Sequence, residues 1–302
     1  MLSHTELPES FRRRVMGAFP EGAAWLASLP ACIAECERWW QIKAGEPFDL
    51  SYSYVTAARA ADGEDVVLKV GVPNRELRCE VAALQLYDGG AAVRLLDSDA
   101  DRGLLLLERL SPGEKLAALQ DDEQATRIAA GLMRELWRPL PANHTFPTLA
   151  DWVAGLRRLR QKFGASTGPF PPQLVEMAES LFEELLGSSE PPVLLHGDLH
   201  HLNILSSRRR PWVAIDPKGV AGERAYEPAA LLENPEPGRY LDLAVQRRRM
   251  EVLAEELGLD PQRIAKWGAA HAVLSAWWSY EDSAGDWEPA LACAEVLAKL
   301  VR

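Results

Sequence analysis

His196-Gly197-Asp198-Leu199-His200-His201-Leu202-Asn203 is the stretch that decides the fold. The apolar run Val193-Leu194-Leu195 leads into it, and Ile204-Leu205-Ser206 leaves it. A buried strand therefore delivers a polar loop that holds an Asp, and an Asn follows five residues later. A basic turn at Arg208–Pro211 comes next, then Trp212-Val213-Ala214-Ile215-Asp216. If 203–207 and 212–216 pair antiparallel around that four-residue turn, Asn203 stands directly across from Asp216. Cross-strand neighbours have Cβ atoms roughly 5 Å apart. An amide oxygen and a carboxylate at that spacing suit Mg²⁺, which prefers oxygen ligands. Asp198, at the mouth of the same hairpin, faces whatever the metal holds. The plain alternative is a buried polar loop with satisfied His and Asp side chains. The strand, the Asp-to-Asn spacing and the second Asp disfavour it together, where any one of them alone would not.

This arrangement resembles the catalytic loop and metal-binding Asp of the protein-kinase-like fold, an H-x-D-x-x-x-x-N loop followed by a metal Asp. His-Gly-Asp-Leu-His replaces His-Arg-Asp, and Ile215-Asp216-Pro217 stands where protein kinases have Asp-Phe-Gly. Leu195–Asp198, Ala214–Gly219 and the run Glu227–Pro235 are similar to the aminoglycoside/hydroxyurea phosphotransferase family, to which streptomycin 6-phosphotransferases belong. The resemblance covers most of the chain from about residue 50 and is densest over 193–235.

It implies a bilobal α+β fold. Residues 1–110 would form a small β-rich N-lobe with a helical N-terminal extension, and 111–302 a larger α-rich C-lobe. It also implies transfer of the γ-phosphoryl group of ATP, with Mg²⁺, to a hydroxyl of a small molecule, foremost an aminoglycoside such as streptomycin. Asp198 would accept or orient the hydroxyl proton, Asn203 and Asp216 would hold Mg²⁺, and His196 would shape the loop.

The N-terminal half offers an independent check. Lys69 lies inside Val66-Val67-Leu68-Lys69-Val70, where a lone Lys is costly to bury without a partner. Strand alternation puts Val67 and Lys69 on one face. A helix over about 75–87, opened by Pro73-Asn74 and closed by Gly89-Gly90, carries Glu76 and Glu80 four apart on one face. A kinase-like site needs a strand Lys for the phosphates and a helix Glu to orient it. Glu80 precedes Val81-Ala82-Ala83-Leu84, the family's usual place for that Glu, and is preferred to Glu76. Val67 would roof the adenine. Glu108-Arg109-Leu110, after the apolar strand 103–109, resembles the lobe connector near 109–113. The Glu108 carbonyl and Leu110 amide would meet the adenine edge. One departure is plain: the phosphate-covering loop Asp49–Thr56 has no Gly, so Ser51 and Ser53 would offer hydroxyls instead. No GxxxxGK[ST] occurs in the chain.

Composition agrees. The 302 residues are 47% hydrophobic and 25% charged, enough for a sizeable core. Forty-four acids against 33 bases give a net charge of −11, which disfavours a nucleic-acid partner and suits a cationic ligand. Four cysteines are too few for a disulfide framework, and no signal peptide or membrane span is evident, so a cytoplasmic location without membrane partners is expected. His196 and His200 at helical zinc spacing are interrupted by Gly-Asp; Cys32 and Cys36 read as core; Arg12–Arg14, Arg208–Arg210 and Arg247–Arg249 read as solvated faces.

Helices are expected at 20–43, 121–137, 148–163, 172–186, 239–257, 261–280 and 288–301, and a hairpin over 50–70. From Trp267 to Ala298 there is no Lys or Arg, yet Glu281, Asp282, Asp286, Glu288 and Glu295 occur, with Trp277 and Trp278 at a helix end. Acids beside aromatic faces suit a cationic, sugar-like acceptor, so Trp277, Trp278, Glu281 and Asp282 are the candidate acceptor residues. A kinase of another metabolite, such as a sugar or amino alcohol, and a nucleotide-binding pseudokinase remain as alternatives.

Overall fold

The computed structural model describes residues 7–282 and 287–301. The chain opens with α1 (Glu9–Ala18) and α2 (Gly22–Trp40). Strands β1 (Ile42–Pro47), β2 (Tyr54–Ala60) and β3 (Asp65–Val70) follow, then α3 (Arg75–Tyr87), β4 (Leu95–Asp99) and β5 (Leu104–Glu108). The five strands form one antiparallel sheet in the order β1-β2-β3-β5-β4. The helix expected over 20–43 stops at Trp40, where Gln41 turns left-handed at φ 51°, and Ile42 begins a strand that the apolar helical pattern concealed.

Period-2 alternation assigns each face of the sheet. Val66, Leu68 and Val70 of β3 and Leu104 and Leu106 of β5 pack against Phe11, Val15, Trp25, Leu29 and Ile33 of α1 and α2. The N-terminal extension is thus the outer cover of the sheet. Leu105 and Leu107 face the other way, onto Leu77, Val81 and Leu84 of α3. Lys69 pairs with Leu105 and Val67 with Leu107, so both project to that inner face. Asn74 caps α3 by accepting from the Leu77 amide at 2.8 Å.

Beyond Glu108 the chain becomes mainly helical. Here lie β6 (Pro112–Lys115), α4 (Asp122–Leu136), α5 (Leu149–Lys162), α6 (Pro172–Gly187), β7 (Val193–Leu195), β8 (Ile204–Ser207), β9 (Trp212–Ala214) and β10 (Val220–Gly222). Short helices α7 (Ala229–Leu232) and α8 (Pro237–Tyr240) lead to α9 (Leu243–Leu257), α10 (Pro261–Glu281) and α11 (Glu288–Ala298). The helix expected over 239–257 is two pieces, because Asp242 caps α9 afresh through the Ala244 and Val245 amides. Helix α10 is buried on nearly all sides, with Ile264, Trp267, Ala270, Val273, Leu274 and Trp277 in the core. A helix apolar all round belongs in the middle of a lobe. No helix among the described residues is long and apolar enough to cross a membrane.

Two basic runs depart from the solvated faces expected of them. Arg209 donates to the Ala92 carbonyl at 2.6 Å and pairs with Glu108 at 2.8 Å, tying the β8–β9 turn to the N-terminal sheet. The Arg249 side chain is fully buried; it donates to Asp122 Oδ1 at 2.5 Å and Oδ2 at 2.9 Å, and to the Asn234 carbonyl at 2.6 Å. Arg249→Ala would leave that carboxylate only the longer contact to Arg239, 3.7 Å away, and would take the donor from the Asn234 carbonyl. It should lower stability by about 3 kcal/mol, the scale of a broken buried pair, read as a lower urea midpoint at unchanged slope.

Candidate active site

Two short sheets frame the loop 196–203. β10 pairs with β7, and β8 pairs with β6 and β9. In the hairpin Ile204 pairs with Ala214, Leu205 with Val213 and Ser206 with Trp212. The turn is therefore Ser207–Pro211, one residue longer than expected. Asn203 stands across from Ile215, whose amide donates to its carbonyl at 2.9 Å, and not across from Asp216. This corrects the register. Asp216 lies one step beyond the pairing and adopts φ 58°, a left-handed turn that Asp tolerates better than most residues. There its carboxylate Oδ1 lies 3.2 Å from Lys69 Nζ.

Lys69 is buried in β3 and lies 2.7 Å from Glu80 Oε1 on α3. Burial works against the Lys69 charge, but Asp216 and Glu80 outweigh it and hold the amine protonated. Burial likewise opposes the Asp216 charge, and Lys69 outweighs it, keeping the carboxyl below its ordinary range. Burial raises Glu80. Val67 sits two residues before Lys69 on the same face. Ser51 is exposed and Ser53 half-buried in the turn before β2, where Ser53 Oγ abuts Gly71. The Glu108 carboxylate is committed to the Arg94 amide and Arg209, and Leu110 is buried.

The glycine-poor loop before β2 is braced from several directions. Arg14 of α1 donates to the Leu50 carbonyl at 3.3 Å, and Phe19 meets Tyr52 edge-on at 6.5 Å. Arg109 lies over the Phe48 ring at 5.3 Å, and Lys115 is 3.9 Å from Asp49. Tyr52 Oη donates to Asp282 Oδ2 at 3.4 Å, joining this loop to α10.

Asp198 follows Gly197, whose φ of 82° makes the turn off β7. His196 is neutral, pushed down to about 3 by burial. Its Nε2–H donates to the Ile215 carbonyl at 2.9 Å, and Nδ1 accepts the Asp198 amide at 3.2 Å, so one ring joins the two polar loops. Asn203 Nδ2 donates to the Asp198 carbonyl at 3.0 Å and is 3.5 Å from Asp198 Oδ2. His200 Nδ1 accepts the Leu202 amide at 3.2 Å, and Nε2 is 3.5 Å from Asp198 Oδ1. Burial raises the Asp198 carboxyl above its ordinary range.

With Nδ2 so engaged, Asn203 keeps its amide oxygen as an acceptor. Asp216 is half-exposed, with one oxygen against Lys69. Two oxygen donors completed by phosphates fit Mg²⁺, which is commonly held by one or two carboxylates plus substrate. Among the described residues no group of three or more His, Cys, Asp or Glu forms a metal site by itself.

Two contributors escaped the sequence reasoning. Glu227 is buried, and its two oxygens accept the His196 and Gly197 amides, each at 2.8 Å. Burial outweighs those bonds and pushes its carboxyl up to about 7. The second is Lys218, whose amide donates to the His196 carbonyl at 2.8 Å and whose amine pairs with Glu76. Both residues lie inside motifs quoted above. The signal available was a charged residue amid an apolar run.

A cleft of about 530 Å³ opens beside Asp198, with Trp152, His271, Ser275, Trp278, Glu281 and Asp282 among its lining. Trp278 meets Trp152 edge-on at 5.6 Å there. Trp277 does not belong to the cleft: it is 1% exposed and packs in the core against Phe163, Phe170 and Tyr280. Nor is the acidic stretch free of cations. Arg158 of α5 grips Glu281 with two bonds of 2.8 and 2.7 Å, and Lys162 lies 4.9 Å above the Tyr280 ring. Among the described residues Asp282 has no such pair; burial, then Glu281, raises its carboxyl. Asp286 lies outside the described residues.

Residues 38–283 match the model of the aminoglycoside/hydroxyurea antibiotic resistance kinase family. The chain belongs to that family. Streptomycin 6-kinase of Streptomyces glaucescens is 34% identical over 309 residues, spanning 98% of this chain and 97% of that protein. Hydroxyurea phosphotransferase of Kitasatospora aureofaciens is 33% identical over 266 residues, spanning 86% of this chain and 76% of the relative. Among solved structures, an aminoglycoside phosphotransferase in ternary complex with ADP and hygromycin B shares the fold, with a TM-score of 0.58 and 14% identity over 88% of this chain and 97% of that one. The kinase therefore has the expected α+β protein-kinase-like fold, with a small antiparallel-sheet N-lobe and a helical C-terminal part.

Proposed function

We propose that this kinase transfers the γ-phosphoryl group of ATP·Mg²⁺ to a hydroxyl of a cationic aminoglycoside, streptomycin foremost, inside the cell. The lobes would meet near residue 110, with the nucleotide between them. The observation that carries this proposal is the convergence of Asp198 and Asn203 from one loop, Asp216 from the turn after β9, Lys69 from β3 and Glu80 from α3, with Asp198 also lining a cleft of about 530 Å³. Streptomycin 6-kinase, matching nearly the whole chain, supports the acceptor.

In this scheme Lys69, oriented by Glu80, meets the α- and β-phosphates. Val67 and the Glu108–Leu110 backbone hold the adenine, and Ser51 and Ser53 supply hydroxyls to phosphate. Asn203 and Asp216 hold Mg²⁺, which when bound neutralises phosphate charge. Asp198 takes the proton of the attacking hydroxyl. Phosphoryl transfer works mainly through positioning and electrostatics, so these few groups suffice. Trp278 and Trp152 cover a ring of the acceptor.

The test is turnover with ATP across aminoglycosides, hydroxyurea, choline-like amino alcohols and sugars, with the product mapped by phosphorus NMR. Phosphorylated streptomycin is the expected product, and turnover only on a sugar or amino alcohol would replace the acceptor.

Asp282, held by the Tyr52 hydroxyl and by no Arg or Lys among the described residues, and not Glu281, is the carboxylate that would meet an acceptor cation. Asp282→Asn should raise the acceptor KM about tenfold, the scale of one charge-assisted hydrogen bond, with kcat little changed. Acceptor affinity should also fall between low and physiological salt, because exposed attraction is screened over about 8–10 Å. Unchanged KM together with salt-independent affinity would make these acids a solvated edge.

A further inference from the structure

Glu76 and Glu80 occupy successive turns on one face of α3, and each takes a lysine. Glu80 takes Lys69 from the sheet, and Glu76 takes Lys218 from the segment after Asp216. Lys218 and Asp198 line the same cleft, together with Gly197 and Asp282. A Cβ placed on Gly197 would lie 3.5 Å from the Lys218 Cβ, so the lysine runs alongside the catalytic loop. Its backbone is fixed there by the bond from its amide to the His196 carbonyl, 2.8 Å long. Lys69 meets Asp216 directly at 3.2 Å, and Lys218 follows Asp216 by two residues. Lys218 lines the cleft with Asp198, whereas Lys69 does not.

From this geometry we propose that Lys218 is a second catalytic cation, held by Glu76, that contacts the transferred phosphoryl group and the attacking oxygen from the acceptor side. The proposal rests on the phosphotransfer site described above. In the step, the acceptor oxygen forms a bond to the γ-phosphorus. The bond from that phosphorus to the β–γ bridging oxygen breaks, and its electron pair leaves on ADP. The hydroxyl proton passes to Asp198. Lys218 exchanges no proton; its charge offsets the negative charge on the γ-oxygens as they leave the nucleotide side. A preorganised cation at developing charge is worth about a hundredfold to a thousandfold in rate. Glu76 is then a positioning residue: it fixes the amine at the cleft wall without touching substrate. The same pair explains why Glu76 and Glu80 both face the site although one lysine needs only one orienting carboxylate.

The test compares wild type with Lys218→Ala, Lys218→Met, Lys218→Arg and Glu76→Gln. Binding of Mg²⁺·ADP is measured by calorimetry, transfer to streptomycin by steady-state kinetics, and hydrolysis of ATP by water in the absence of acceptor. Lys218→Ala and Lys218→Met should lose about a hundredfold in kcat while the ADP Kd stays within about threefold. Lys218→Arg should recover at least tenfold of that loss, because the charge returns. Glu76→Gln should lower kcat about tenfold at unchanged ADP affinity. A kcat within fivefold of wild type in Lys218→Met would overturn the proposal. So would ADP affinity falling in step with kcat, since Lys218 would then serve the nucleotide or the fold. If wild type leaves streptomycin untouched, the acceptor assignment fails by itself. The hydrolysis rates of the same variants then decide the role of Lys218.

Discussion

Asp198→Ala should lower turnover by two to four orders of magnitude and leave nucleotide binding nearly as it was. The size follows from removing an acid–base group from a positioned site. The selectivity follows from where Asp198 stands. Its carboxylate lines the cleft proposed for the acceptor, whereas Lys69, Glu80 and Asp216 form their own cluster, with Lys69 2.7 Å from Glu80 and 3.2 Å from Asp216. The loop holds its shape in the variant, because its bonds run through backbone. Glu227 accepts the His196 and Gly197 amides, Asn203 donates to the residue 198 carbonyl, and the His196 ring accepts the residue 198 amide. A carboxyl raised by burial is also the better proton acceptor for a hydroxyl. Turnover within tenfold of wild type would remove Asp198 from the chemistry, and a lost ADP titration would show that the loop had collapsed. Asp198→Asn, nearly isosteric, separates lost charge from lost shape and should be as slow as the alanine variant.

Much of this site can be read in the chain because its parts obey short-range rules. β3 exposes its alternation directly, so Lys69 falls on the inner face with Val67, and α3 exposes its period, so Glu76 and Glu80 share a side. Adding a lysine and two carboxylates on facing elements leaves few pairings. The family resemblance picks Glu80 for Lys69; what cannot be read is the task of Glu76 one turn away, because its lysine arrives from far away in sequence. Lys218 is 142 positions from Glu76, and no local pattern joins them. The same holds for Arg249. A run of three arginines on a helix looks solvated, yet one of them meets Asp122 at a separation of 127 residues and is buried by it. Trp277 and Trp278 are adjacent, so they face in different directions, and only the position of α10 among α5, α6 and α11 tells which one reaches the cleft.

The hairpin error has a different cause. Antiparallel pairing ends where the turn begins, and one residue more or less in the turn moves every partner by one position. A loop of Ser, three Arg and Pro gives no fixed turn type from which to count. The register would have put Asn203 and Asp216 together by pairing. The fold reaches Asp216 differently, by ending β9 at Ala214 and turning the chain left-handed at residue 216, where φ is 58°. A residue outside the ladder is free to turn its side chain toward Lys69, whereas one inside it is bound to the face its number dictates.

That placement gives Asp216→Asn two opposite signatures. With Mg²⁺ present, nucleotide affinity should fall at least tenfold and turnover at least a hundredfold, because a neutral amide is a far weaker partner for a divalent cation than a carboxylate. Without Mg²⁺, in excess chelator, ADP should bind the variant as well as wild type or better. The reason lies in the charges around Lys69. In wild type that amine faces two carboxylates, Glu80 at 2.7 Å and Asp216 at 3.2 Å, and a phosphate bound there would share it with both. Removing the Asp216 charge takes a repulsive neighbour from the phosphates and leaves Glu80 to hold the lysine. Paired titrations with and without Mg²⁺ read both signatures in one preparation. Equal losses in the two conditions would mean that Asp216 supports the nucleotide through the fold and holds no metal. Equal affinities in the two conditions would take it out of the nucleotide site altogether.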